Sequence, residues 1–143
     1  MKTNFLAGVI ALMAVPVFAG DVATVYKFDG AFEDATFAVE NAIVGHGLVI
    51  DFTSHVGEML NRTAADVGSD VEVFTAADIF LFCSAQLSRE VMEADAMNIV
   101  HCPYKIFVTD RGGDVEIGYP NYPDGVMQKV QALSDEIVKK AME

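Results

Sequence analysis

The chain has 143 residues, with 21 acidic against 9 basic side chains, a formal net charge of −12 and a hydrophobic fraction of 52%. That balance argues against nucleic acid and anionic membrane surfaces as partners, because holding phosphates needs clustered Lys and Arg. It fits a soluble, self-repelling protein, with an acidic docking face for a basic protein partner as the sharper alternative.

Met1 to Ala19 has the layout of a secretory signal peptide. Lys2 supplies the positive start, Phe5 to Val15 the apolar stretch, and Val17-Phe18-Ala19 the small or apolar residues before a cut. An apolar run of about ten residues is too short for roughly 30 Å of hydrocarbon, so no membrane span is expected. No cysteine follows the cut to carry a lipid. Cleavage after Ala19 would leave 124 residues from Gly20, with 8 basic and 21 acidic side chains and a net charge of −13. That length suits one domain with its own core, expected to be periplasmic or secreted.

Val22, Thr24, Tyr26 and Phe28 alternate with Ala23, Val25 and Lys27, the period of a strand. Ala35, Ala38, Val39, Ala42 and Ile43 then recur at helical spacing and predict an amphipathic helix with a narrow buried face. Gly45-His46-Gly47 ends it, and Leu48 to Phe52 forms the second strand. His46 reads as a helix-end residue bonding the last carbonyls and His55 as the start of the next helix, rather than either as a metal ligand. Val56, Leu60, Ala64 and Val67 give that helix its stripe, with Gly68 as the stop. The acids Asp66, Asp70, Glu72 and Asp78 lack the order of a calcium loop and predict a solvated connection.

Ile79 to Phe82 does not alternate, so it reads as an interior strand covered on both faces. It ends at Cys83, after which Leu87, Val91 and Ala94 mark a short helix that Ser84 is placed to cap. Cys102-Pro103-Tyr104 opens the next apolar run, Ile106 to Val108. Ile106 and Val108, then Val115, Ile117 and Tyr119, alternate on either side of Asp110-Arg111-Gly112-Gly113, which predicts an antiparallel hairpin. Asp124 is placed to cap a final helix with a stripe of Val126, Val130, Leu133 and Ile137, and Lys139 and Lys140 sit near its negative end.

These elements predict one α+β domain: a two-layer fold with a largely antiparallel or mixed sheet of about five strands and helices mainly on one face. The competing doubly wound parallel sheet is disfavoured by the hairpin. Antiparallel strands would bring Cys83 and Cys102 to one sheet edge. Three states of the pair follow: a disulfide, favoured in an oxidising compartment; a reactive Cys83 whose pKa is lowered by the start of the Ser84 helix; or two inert thiols. Ser84, Met97, His101 and Tyr104 are the candidate site residues around the pair. Met92, Met97, His101 and the two cysteines are soft or borderline ligands, but their spacing fits no metal motif and methionine commonly fills cores, so no metal site is assigned.

The chain resembles the bacterial and archaeal family called domain of unknown function 302, most clearly from Tyr26 to Tyr119. The resemblance rests on the order of elements and on Phe82-Cys83-Ser84-Ala85, Leu87-Ser88-Arg89, Met92-Glu93-Ala94-Asp95 and Cys102-Pro103-Tyr104. Many members carry Cys-Asn-Pro and Leu-Pro-Cys at the two cysteines, where this chain has Ser84-Ala85 and His101. The resemblance implies helices packed on a curved, largely antiparallel sheet, often in dimers, and implies no activity.

No Gly-x-Ser-x-Gly, His-Glu-x-x-His, glycine-rich phosphate loop or Cys-x-x-Cys pair is present. The residues point to an exported binding or accessory domain rather than an enzyme. The alternative is a periplasmic thiol- or sulfur-handling or soft-metal-binding protein using Cys83 and Cys102. Catalytic residues and a cofactor are left unassigned, and a homodimer, a small ligand and a basic protein partner are left open.

Overall fold

The computed structural model describes residues 22–143 and the backbone of Val17–Ala19; the rest of the predicted leader lies outside the described residues. The strands are β1 (Val17–Ala19), β2 (Ala23–Lys27), β3 (Val49–Ser54), β4 (Ala76–Cys83), β5 (Tyr104–Arg111) and β6 (Asp114–Pro120). The helices are α1 (Phe32–Gly45), α2 (Val56–Thr63), α3 (Ala85–Ala94) and α4 (Gln128–Ala141). The sheet order is β1-β2-β6-β5-β4-β3, and every neighbouring pair is antiparallel. The expected α+β architecture is therefore present, with five strands of five residues or more and the three-residue β1 at one edge.

The β5–β6 hairpin forms where its turn chemistry dictates. Gly112 and Gly113 both have positive φ, 65° and 94°, which a two-residue reversal between right-twisted strands requires. The Asp110 carboxylate accepts the Gly113 N–H at 2.7 Å. Lateral order then follows from period-two burial. Phe80, Phe82, Tyr104, Ile106, Val108, Val115, Ile117 and Tyr119 turn to one face and are buried with Ala35, Val39, Ala42 and Ile43 of α1 and Val130, Ile137 and Val138 of α4. The alanines keep α1 slim, so that it and α4 lie side by side on that face.

Three expectations need correction. β4 alternates, with Phe80 and Phe82 buried and Ile79 and Leu81 half-buried. No crossover helix is needed in an antiparallel sheet, so one face can remain open to water. The second helix is shorter than its pattern: α2 stops at Thr63, a 3-10 turn spans Ala65–Val67, and Val67 is exposed. Only Gly57 of α2 is buried, because its Cα faces the backbone of Ala76 and Ala77 too closely for any side chain. Finally, Asp124 does not cap α4. Gly125, at φ 92°, turns the chain aside, and Gln128 reaches back to the carbonyls of Tyr122 and Pro123 instead.

One polar cluster fastens α4 to the sheet. The Asp135 carboxylate accepts hydrogen bonds from Tyr26 (2.6 Å) and Tyr119 (2.8 Å) and pairs with Lys139 at 2.6 Å. Burial alone would raise the Asp135 pKa, but Lys139 and the two hydroxyls outweigh it and hold the carboxyl below its ordinary value. Burial and the same carboxylate push both tyrosines up.

Candidate functional site

Phe82 of β4 pairs with Tyr104 of β5, so the residues just beyond this rung return to the same sheet edge. There the Sγ atoms of Cys83 and Cys102 lie 3.1 Å apart, both as free, half-buried thiols. The chain between them leaves the edge as α3 and returns through a 3-10 turn, Ala96–His101. Ser84 starts this excursion as expected: its Oγ accepts the Leu87 N–H at 3.3 Å. Asp95 performs the same service for the turn, accepting the Met97 N–H at 2.9 Å, and the Asn98 amide donates to the Val91 carbonyl at 2.8 Å. The Cys102-Pro103 peptide bond is cis.

Aromatic side chains surround the buried side of this edge. Tyr104 is fully buried, accepts a hydrogen bond from Ser88 Oγ at 3.2 Å, and meets Phe82 and Tyr122 edge-on at centroid distances of 6.2 and 6.1 Å. The half-buried His101 ring meets Tyr122 at 5.9 Å. On the solvent side, Val49 lies opposite Cys83 in the β3–β4 ladder and is exposed, as are Met97, Ile99 and Val100 of the 3-10 turn. Met92 packs against the core. Among the described residues, no group of three or more His, Cys, Asp or Glu is placed to hold a metal ion.

Asp51 is the site residue that sequence reasoning missed. The β3–β4 register slips between Ile50 and Phe52, leaving Asp51 as an extra residue in a bulge between the Phe82 and Leu81 rungs, close enough for its carboxylate to act on Cys83. Burial pushes the Cys83 thiol up to about 12, with further upward pressure from the Cys102 thiol and the Asp51 carboxylate. The direction is opposite to the lowering expected from the start of α3. That direction keeps Cys83 mostly a neutral thiol near neutral pH and so a poor nucleophile.

His46 is a helix-end residue as expected, its Nδ1–H donating to the Ala42 carbonyl at 2.7 Å. His55 does precede α2, but it also bonds Asp78 Oδ1 through Nδ1 at 2.8 Å. Two residues separated by 23 positions give no local pattern by which this pair could be found.

Fold and site define a two-layer α+β domain with an antiparallel sheet open on one face and a paired thiol at one edge. The sequence matches the family described as "Domain of unknown function DUF302" over residues 24–143, and the chain belongs to that family. A solved relative in fold is the crystal structure of an uncharacterized conserved DUF302 protein from Bacillus stearothermophilus, similar with a TM-score of 0.61 and 18% identity. The match covers 83% of this chain and 91% of that one. No curated protein matches the sequence. Among the described residues, no helix is long and apolar enough to cross a membrane.

Proposed function

We propose that the protein is an exported, periplasmic or secreted accessory domain in which Cys83 and Cys102 close as a disulfide. The 3.1 Å separation of two thiols brought together from different elements carries this reading. Formation takes one proton and one electron from each sulfur. The two electrons pass to a disulfide-bearing oxidant, which leaves as two thiols. The bond would staple the excursion from Ser84 to His101 to the sheet, holding Met97, Ile99 and Val100 in place as a contact surface for a partner. Closing a loop of about 20 residues contributes about 3 kcal/mol in the chain-entropy estimate.

A thiol-handling role is the second reading, favoured by Asp51 beside Cys83. In that reading Asp51 keeps Cys83 protonated at rest; an incoming disulfide is opened as the Cys83 thiol proton passes to the departing thiol, and Cys102 resolves the mixed disulfide, its proton leaving on the second thiol. Intact mass of the protein from the cell envelope or medium of its own host tests both readings. The expected product begins at Gly20, lacks two hydrogens and shows no alkylatable thiol. A cytosolic, full-length protein with two alkylatable thiols would sink the first reading. A sulfur-bearing adduct on Cys83 would favour the second.

A further inference from the structure

We propose that the groove between α2 and the start of β4 binds short peptides of two or three residues by their charged ends. This site is separate from the thiol pair and does not depend on its chemistry. The groove is open to solvent, offers about 610 Å³, and is lined by Phe32, Ala76, Ala77 and Asp78 together with His55, Glu58, Asn61 and Arg62. That volume lies within the roughly 300–1,000 Å³ of small-ligand sites. His55, Glu58 and Arg62 are spaced by three and four positions, so they share one face at α2 and form a row along the groove.

The row is polar from end to end. At the start of α2, half-buried Asp78 accepts the Nδ1–H of His55. An ionised carboxylate can only accept, so a neutral His55 ring is left with Nε2 as an acceptor. Glu58 stands one turn further on. Together these groups suit an ammonium. The far end carries Arg62, whose forked guanidinium suits a carboxylate. Among the described residues, Lys27, Arg89, Arg111, Lys129, Lys139 and Lys140 all have acidic partners, Arg62 and Lys105 have none, and of these two only Arg62 lines the groove. Glu58 precedes Arg62 by four positions, the favourable order for a helical ion pair. Neither joins the other, and both line the groove.

Charge and length select the ligand. A simple anion would meet Glu58, Asp78 and the field of a chain with net charge −12. A simple cation would meet Arg62. A zwitterion satisfies both ends. Seven helical rises from His55 to Arg62 span about 10 Å, and an extended peptide covers about 3.3–3.6 Å per residue. Two or three residues therefore place the ammonium at Glu58 and His55 and the carboxylate at Arg62, with apolar side chains against Phe32, Ala76 and Ala77.

Calorimetric titration of the purified chain with trialanine, N-acetyl-trialanine and trialanine amide tests the proposal. Free trialanine should bind saturably, and blocking either end should weaken it about tenfold or more, the scale of one charged hydrogen bond. R62Q should abolish the preference for the free carboxylate and E58Q should reduce the preference for the free amine, both with unchanged melting curves because these side chains are exposed. No saturable heat at millimolar trialanine would overturn the proposal. So would equal binding of free and blocked peptides, or an R62Q variant that keeps the wild-type preference for the carboxylate.

Discussion

Cys83 shows how one residue's chemistry is set by its immediate surroundings. Burial, the neighbouring thiol and the Asp51 carboxylate each disfavour its thiolate. In a Cys102→Ser background, which leaves one thiol, Asp51→Asn should lower the Cys83 pKa and raise its alkylation rate near pH 9. A gain of severalfold to about tenfold is expected, since one pKa unit is tenfold in thiolate well below the pKa. The exposed position of Asp51 means that the gain should shrink as salt is added. Mass-spectrometric alkylation rates across a pH series check this, and an unchanged rate would remove Asp51 from the site. Gly57 is determined just as locally. A Cβ there would lie 2.4 Å from the Ala77 backbone nitrogen, an atom that cannot swing aside. Gly57→Ala should therefore push α2 off β4 and cost about 1–3 kcal/mol, the usual penalty of overpacking, read as a lowered melting temperature.

Among the elements, α4 is held to β2 and β6 by Asp135 as well as by its apolar stripe. The folded Asp135 pKa lies below the ordinary value, so its contribution is complete above about pH 4, the unfolded carboxylate value. It is lost as pH falls through the lower folded value. The tyrosines carry the opposite sign: raised pKa values weaken the fold as pH climbs above about 10. Asp135→Asn should cost about 2 kcal/mol at neutral pH, the scale of a hydrogen bond to a charged group. It should also flatten the acid limb of a plot of melting temperature against pH; an unaltered limb would place the acid sensitivity elsewhere. Much at this scale was legible in the sequence. Val115, Ile117 and Tyr119 alternate plainly, and Gly112-Gly113 marks the only turn that joins them economically to β5. The meeting of Cys83 and Cys102 was also legible, because successive antiparallel strands must return to one edge. The bulge at Asp51 was hidden, since an extra residue exists only relative to a partner's register. The Asp124 cap failed because Gly125 redirected the chain before the helix could start.

At the scale of the whole molecule, the sheet joins the beginning of the domain to its end. Val25 of β2 pairs with Gly118 of β6, while β3, β4 and β5 pair with strands close by in sequence. A chain ending at Gly112 would keep β3, β4 and β5 but lose β6, which ties β2 to them, and all of α4. It should show no cooperative unfolding transition in urea; a sigmoidal transition would mean that the middle strands are stable by themselves. The same connectivity governs when the domain can fold during its synthesis. A nascent chain holds β2 without β6, and the inner face of its sheet without α4, until those two late elements have been made. Such a late closing step keeps the polypeptide threadable. For the export proposed above, it would let the chain enter a translocation channel as an open strand and make its final pairing on the far side.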